Sequence, residues 1–466
     1  MAQANNENLG FSDSAANRPR ENTWRGRGTH AASADTNHDE ASRMDFVMTL
    51  FRHIGRNVAP GHQTVFEKKV EPDFVKKAGR KPKDRHEVRK AMLEDNAYQW
   101  WACLRRHQQE LGSSNKWPII ERQADTLIAK AKVKNPKYGS LKLNPSLQTP
   151  RYQAGFDMHW MAGGYHGEGS PDDVLPGAMY DLGGLYMGSG GKFGKWNDGP
   201  GYSVIHWLKT QYPDFKPKKI LDEGCTVGQS TGPYCFGWPG VEVHGIDYAA
   251  PILRYAHARA QALKLPIHFK QALAEDTGYA DNSFDVVVSS MFLHETSHKA
   301  VHAIVKEAHR ILKPGGIMIH VEQPPFATMK SVWQQFVMDW DTHNNNEPFW
   351  GPMHDMDLED VADKGGFRKQ DVLQTMAPFV IPLDDGRAVP ADKGEWFFFT
   401  ARKHYRFRRA WHADSRHPHP ACPLVGNRPS RGDGRNQPGG NRAPQPHDGA
   451  VPPPARKRLC GQQARL

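Results

Sequence analysis

Short apolar runs and amphipathic stretches alternate along the second half of the chain. The apolar runs are typical of strands buried in a parallel sheet, and the stretch at 297–312 shows the apolar spacing of a helix. We therefore predict a doubly wound, mostly parallel α/β sheet whose ligand crevice lies beyond the carboxyl ends of the strands. The predicted strands lie within residues 220–228, where a glycine-rich loop follows the strand, and within 241–247, 267–272, 281–290, 317–321 and 395–402.

The first half of the chain shows mainly helical patterns. Residues 43–150 form a predicted helical region, in which a capping-box pattern at Asp84 begins a helix that ends near Gly112. Pro118 predicts the start of a further helix over residues 118–133. Trp100 and Trp101 are interpreted as packing residues.

Glycines and carboxylates mark a candidate nucleoside site at the first predicted strand. The loop runs Asp222-x-Gly224-x-Thr226-x-Gly228, and the second strand ends at Asp247. Gly224 and Gly228 allow the backbone to turn tightly and approach a ligand, and Asp247 is placed to accept hydrogen bonds from both ribose hydroxyls. An ordinary strand-to-turn segment with two glycines is the alternative interpretation.

The glycine loop resembles the first motif of the class I S-adenosylmethionine-dependent methyltransferases, D/E-x-G-x-G-x-G, with Thr226 at the middle glycine. The Asp-Asn-Ser-Phe-Asp-Val-Val-Val run at 281–288, the helix after it and the Leu-Lys-Pro-Gly-Gly segment at 312–316 are similar to the ubiquinone and menaquinone C-methyltransferase group. The resemblance covers residues 202–402. It implies a Rossmann-like sheet of seven strands, S-adenosylmethionine as the cofactor, and transfer of a methyl group to an acceptor.

The resemblance also implies a set of cofactor-binding residues. The glycine loop would follow the methionine and ribose portions, Asp247 would bind the ribose hydroxyls and Tyr248 would flank the adenine. Family members carry a polar pair facing the adenine amine, whereas Leu273 stands there in this chain, so Glu275 is the substitute. The implied residues are Asp222, Gly224, Cys225, Gly228, Asp247, Tyr248, Ala274, Glu275, Ser289 and Ser290.

His294 is the candidate catalytic base, because it follows the fourth strand and an unperturbed imidazole titrates near neutrality. It also begins the sequence His-Glu-Thr-Ser-His, which matches the H-E-x-x-H pattern of zinc proteases. That chemistry needs both histidines on one face of a helix, whereas this helix is expected to begin only after an N-cap at Thr296 or Ser297. We therefore expect no metal, with His298 and His302 on the solvent side of the helix.

Two segments rich in aromatic residues flank the predicted site. Residues 151–210 combine them with many glycines and form either a cover that closes over the cofactor or an irregular connection to the sheet. Residues 325–360 form an insertion under which relatives place the acceptor, with an aromatic helix predicted over 329–341. Core packing is the alternative for that helix. The candidate acceptor contacts are Trp333, Trp340, His343 and Trp350, which would suit a flat, apolar molecule.

The net charge of +10 is concentrated at the end of the chain. Residues 405–466 hold 12 Lys and Arg against 3 Asp and Glu, and are rich in Pro, Gly and His. We predict that this tail and residues 1–42 are disordered. A basic tail can bind a nucleic acid or an anionic surface. Its excess of Arg over Lys also fits translation of GC-rich sequence without a selected role.

The cysteine pattern indicates a reduced environment. The five cysteines form no C-x-x-C pair, and the sequence shows neither a signal peptide nor a membrane span, so we expect a cytoplasmic protein without structural metal. The cysteines are Cys103, Cys225, Cys235, Cys422 and Cys460.

Residues 211–404 are thus expected to form a methyltransferase that acts on a small aromatic or apolar molecule. One alternative is nucleic-acid methylation, although the Asn/Asp-Pro-Pro-Tyr/Phe signature of exocyclic base-amine methylation is absent after the fourth strand. A second is a non-catalytic protein that binds S-adenosylmethionine, which Thr226 and Leu273 favour. The acceptor atom and the oligomeric state are left open.

Overall fold

The N-terminal half of the chain is helical, as its apolar spacing predicts. The computed structural model describes residues 23–183 and 189–405. The first helix begins at a capping box, in which Asn37 and Glu40 each accept a hydrogen bond from the other's backbone N–H. Helices of this half are α1 (His38–His53), α2 (Ala59–Val65), α3 (Glu71–Ala78), α4 (Arg85–Met92), α5 (Asn96–Glu121), α6 (Ala124–Ala131), α7 (Arg151–Ala154) and α8 (Leu175–Asp181).

The expected disorder of residues 1–42 is wrong for residues 23–42. The Trp24 side chain is buried, and its indole N–H donates to the Leu182 carbonyl at 3.1 Å. A single large aromatic side chain anchors this segment although the segment has no apolar periodicity. Residues 1–22 lie outside the described part of the chain.

Helix α5 is longer than predicted. Asp84 caps α4 by accepting from the Glu87 N–H at 2.9 Å, but the helix predicted from there to near Gly112 is divided, because α4 ends at Met92. Helix α5 begins at Asn96 and continues to Glu121, with Pro118 inside its last turns. Residues 124–131 form a separate helix instead of continuing from Pro118. The packing role expected of Trp100 is also wrong, since that side chain is 65% exposed.

Eight strands form one mostly parallel sheet in the order β1-β4-β3-β2-β5-β6-β8-β7, with β8 antiparallel to both neighbours. The doubly wound α/β fold is confirmed. The sheet has one strand more than predicted, because a three-residue segment pairs with β4 at its edge. The strands are β1 (Ser140–Lys142), β2 (Lys219–Glu223), β3 (Glu242–Asp247), β4 (Ile267–Gln271), β5 (Phe284–Ser290), β6 (Leu312–Glu322), β7 (Val372–Pro382) and β8 (Ala388–Arg402).

Helices cover both faces of the sheet. Apolar residues of α9 and α11 pack on one face, and those of α12 and α16 pack on the other. Ser297 caps α12 by accepting from the Ala300 N–H, as predicted. The helices of this half are α9 (Gly199–Gln211), α10 (Tyr234–Gly237), α11 (Ala250–Leu263), α12 (His298–Ile311), α13 (Val332–Met338), α14 (Trp340–Asn344), α15 (Trp350–His354) and α16 (Leu358–Gly365).

The order of the strands in the sheet indicates where a ligand would bind. Strand β2 pairs with β3 on one side and with β5 on the other, so the crossovers diverge at β2. In sheets of this kind, ligands bind in the crevice beyond the carboxyl ends of the strands at that point. In the described part of the chain, no helix has the length and apolar character that a bilayer crossing requires.

Candidate cofactor and acceptor site

A cavity of about 930 Å³ lies at the carboxyl ends of β2, β3 and β5. Its wall joins the loops that follow these strands to one face of α5, to the segment around His159 and to Trp333 and Trp350 of the predicted insertion. The helical half and the sheet therefore enclose one shared space.

The glycine loop closes one end of this cavity. Gly224 has a φ of +64°, and a Cβ at this position would lie 2.4 Å from the ring of Phe292, so no other residue fits without displacing that ring. Thr226 has a φ of 44°, a left-handed conformation that strains a β-branched residue. Its N–H donates to Asp247 Oδ2 at 3.1 Å. The loop thus keeps a tight turn although its middle glycine is replaced.

Asp247 lies at the end of β3 and is buried in the cavity wall. Its Oδ1 accepts from the Ala249 N–H at 3.0 Å, while Oδ2 accepts from Thr226. Burial raises the pKa of Asp247 to about 6, so the group is mostly ionised at neutral pH. A carboxylate oxygen accepts more than one hydrogen bond, and both oxygens can therefore also accept from a diol.

The remaining predicted cofactor residues divide into two groups. Asp222, Cys225, Tyr248, Ala274, Glu275 and Ser290 lie on the cavity wall together with Gly224 and Asp247. Gly228 and Ser289 do not. Gly228 turns the loop away at a φ of +76°, and the Ser289 hydroxyl is buried at 2.7 Å from His320 Nδ1.

Two of the four residues predicted to contact the acceptor lie on the cavity wall. Trp333 and Trp350 line the cavity, whereas Trp340 and His343 lie outside its wall. The Trp340 ring packs in a buried aromatic cluster with Trp101, and the His343 side chain faces Asp339 at 3.4 Å. The predicted aromatic helix is split into α13 and α14.

His294 lines the cavity from a short 3₁₀ turn after β5. Its Nδ1 lies 2.6 Å from Glu322 Oε2, and Glu322 Oε1 also accepts from the N–H groups of Phe292 and Leu293. Burial disfavours the imidazolium, but the Glu322 carboxylate outweighs burial and raises the pKa of His294 to about 9. His294 is therefore cationic at neutral pH, unlike the near-neutral group that the sequence predicts.

The zinc-protease pattern does not assemble a metal site. His294 lies before the N-cap of α12 and His298 lies exposed after it, so the two histidines do not share a helical face. Among the described residues, no group of three or more His, Cys, Asp and Glu side chains is arranged to hold a metal ion.

His159 is a cavity residue that the sequence does not single out. Its Nε2 lies 3.0 Å from Glu295 Oε1 and its Nδ1 lies 2.8 Å from Glu347 Oε1. Burial opposes the charged form, yet the two carboxylates raise the pKa of His159 well above its ordinary value. The Tyr165 hydroxyl also donates to Glu295 Oε1, at 2.9 Å. These bonds hold residues 157–165, called the cover segment or cover, against the cavity wall.

The charge of the wall fits the expected cofactor. Carboxylates outnumber Lys and Arg side chains six to two among the described wall residues, which suits a cationic ligand. S-adenosylmethionine carries a positively charged sulfonium and a ribose diol, and Asp247 offers acceptors to the diol. The wall carboxylates are Asp222, Asp247, Glu275, Glu295, Asp341 and Glu347.

Comparison with known proteins gives the same assignment. Residues 221–320 match the family described as a methyltransferase domain. An uncharacterized methyltransferase of Synechocystis is 29% identical over 177 residues, which cover 36% of this chain and 75% of that protein. The demethylmenaquinone methyltransferase of Thermus thermophilus is 32% identical over 109 residues, which cover 23% of this chain and 49% of that protein.

A solved phosphoethanolamine N-methyltransferase 2 of Haemonchus contortus, in complex with S-adenosylhomocysteine, aligns with a TM-score of 0.32 at 18% identity over 45% of this chain and 53% of that chain. The chain spans three quarters of the first curated relative and about half of the second. The family match and these relatives show that the chain carries a class I S-adenosylmethionine-dependent methyltransferase domain.

Proposed function

We propose that the protein transfers a methyl group from S-adenosylmethionine to a small, apolar or aromatic acceptor. The observation that carries this proposal is the continuity of the cavity. Gly224 and Asp247 line the same space as the rings of Trp333 and Trp350. A flat apolar molecule could lie against these rings while its reacting atom faces the cofactor.

The acidic wall supports a small molecule over a nucleic acid. A polyanion is attracted by Lys and Arg side chains, whereas the described wall carries six carboxylates against one arginine and one lysine. A nucleic-acid partner stays a prediction only for residues 405–466, which apart from Tyr405 lie outside the described residues.

The chain's own contribution to methyl transfer is positioning and exclusion of water. The cofactor supplies an electrophilic methyl group when it is bound. The residues that would hold it are Asp247, through the ribose, and the loop at Gly224, through close backbone approach. His159 and Tyr165 hold the cover over the cavity, and the resulting desolvation favours in-line attack.

His294 remains the candidate base, which would remove a proton from the group that receives the methyl. Because its pKa is raised to about 9, a role as base predicts turnover that rises with pH up to about 9. The same pH profile in His294→Ala as in the wild type would remove this role. Loss of the rise in His294→Ala would support it.

Calorimetric titration with S-adenosylhomocysteine tests the cofactor site. We expect the wild type to bind, and Asp247→Asn to bind about ten- to a hundredfold more weakly, because one carboxylate oxygen becomes an amide that cannot accept. Asp276→Asn is the matched control, since Asp276 is an exposed carboxylate shortly after β4. Equal affinity in all three proteins, or no binding by the folded wild type, would contradict the proposed site.

A further inference from the structure

Lys116 is a buried lysine in the cavity wall. It is 5% exposed, and it lies on the face of α5 that lines the cavity. Burial is the cause of the shift in its pKa, to which no hydrogen bond or opposite charge from another described residue contributes. The cavity-facing residues of α5 recur at helical spacing and are Arg105, Gln108, Gln109, Gly112, Ser113 and Lys116.

The other basic groups on the described wall are paired. Arg105 contacts Asp341 at 3.2 Å, and the two wall histidines contact carboxylates, as set out above. Burial without a partner lowers the pKa of Lys116 to about 8. An uncompensated ammonium group is costly in a folded protein, so its presence on a cavity wall indicates that a ligand supplies the missing anion.

The end of α5 that carries Lys116 packs toward the glycine loop. Ile119 and Ile120 belong to the same apolar cluster as Met179 of α8. The next residue of α8, Tyr180, lines the cavity together with Thr226 of the glycine loop. The opposite end of the cavity-facing stripe is Arg105, which contacts the acceptor side. Lys116 thus faces the half of the cavity that is assigned to the cofactor.

We propose that Lys116 binds a carboxylate group of a ligand in this cavity, an inference that rests on the proposed function. S-adenosylmethionine carries a carboxylate on its amino-acid portion, and an acceptor can carry one as well. The position of Lys116 near α8 favours the cofactor as the source. The chemistry is the same for both sources, since a buried ammonium forms a charge-assisted hydrogen bond with the carboxylate.

Titration of two nucleosides separates the carboxylate from the rest of the cofactor. S-adenosylhomocysteine carries the amino-acid carboxylate, and 5′-methylthioadenosine lacks the amino-acid portion. We expect Lys116→Met to weaken S-adenosylhomocysteine binding about ten- to a hundredfold and to leave 5′-methylthioadenosine binding unchanged. Lys116→Arg should retain part of the affinity. Lys134→Met, which removes an exposed lysine, should bind both nucleosides as the wild type does.

A second titration tests the acceptor as the source. Benzoate and benzamide have nearly the same shape, but only benzoate carries a charge. Each would be titrated into the wild type and Lys116→Met with S-adenosylhomocysteine present at saturation. If the acceptor supplies the carboxylate, the wild type prefers benzoate, and Lys116→Met loses this preference while its nucleoside affinities stay unchanged.

Two results would overturn the inference, and they differ from each other. Equal affinities of the wild type and Lys116→Met for S-adenosylhomocysteine, together with no difference in benzoate preference, would remove the role of Lys116 alone. Failure of the folded wild type to bind S-adenosylhomocysteine would remove the proposed function and this inference with it. Melting temperatures measured beside the titrations show whether Lys116→Met is folded, which we expect because the substitution removes a buried charge.

Discussion

Thr226 stores backbone strain in the glycine loop. Its φ of 44° favours glycine, and a Cβ in the left-handed region costs about 1–2 kcal/mol. We expect Thr226→Gly to be more stable to unfolding than Thr226→Ala by about 1 kcal/mol, because both lose the hydroxyl but only glycine relieves the strain. Denaturant titration measures this difference. Thr296 is the control, because its φ of −111° is open to any residue. There we expect the alanine variant to be more stable to unfolding than the glycine variant. If Thr226→Ala were more stable to unfolding than Thr226→Gly, the backbone at position 226 would not be strained.

The charge of His294 depends mainly on the Glu322 carboxylate. We expect NMR titration to give His294 a pKa of about 9, and Glu322→Gln to lower this pKa, since burial then opposes the imidazolium and only the weaker influence of Glu347 and Glu295 still favours it. The glutamine oxygen can still accept from the N–H groups of the adjacent loop. The stabilisation from the pair is fully present below pH 6.5 and is lost as the pH rises through 9. An unchanged pKa in Glu322→Gln would contradict the pairing.

At the scale of elements, the cover is held by its contacts with the cavity wall. His159 and Trp160 both have positive φ, at 54° and 56°, so the segment resists this conformation unless side chains hold it. Glu347→Gln removes the charge that pairs with His159. We expect hydrogen exchange of residues 158–165 to accelerate by about tenfold, because a charge-assisted bond is weakened. Mass spectrometry of the exchanged peptides measures this.

Glu359→Gln is the matched control for the cover, since Glu359 is an exposed carboxylate at the start of α16. It should leave exchange of residues 158–165 unchanged. If Glu347→Gln exchanges at the same rate as this control, the cover is held by its apolar contacts and not by the His159 pairing.

Local patterns predict the sheet and the part of the site that follows its strands. Asp247 and Gly224 could be placed because a strand end fixes the direction of the residues after it. Lys116 could not, since its helix lies about a hundred residues earlier in the chain and nothing local specifies which helical face meets the cavity. Trp340 packs in the aromatic cluster with Trp101 instead of lining the cavity, which agrees with the core-packing alternative for that helix.

At the scale of the whole molecule, α8 ties the helical half to the sheet. Its Asp181 accepts from the Tyr255 hydroxyl at 2.9 Å and pairs with Arg259 at 3.3 Å, both on α11. Gly177 packs so closely that a Cβ there would lie 2.4 Å from Tyr255 Cβ. The burial of α11 therefore depends on α8, which precedes residue 211, the predicted start of the methyltransferase domain.

This dependence predicts that residues 211–404 do not fold alone. The fragment would expose Ile252 and Tyr255, which are buried in the apolar cluster shared with α1, α5 and α8, and would leave Arg259 without Asp181. We expect it to bind a hydrophobic dye and to lack a cooperative thermal transition. The fragment 23–405 keeps every described residue and should unfold cooperatively. A sharp transition in the shorter fragment would show that the sheet and its flanking helices are stable without the helical half, which would then serve only to enclose the cavity.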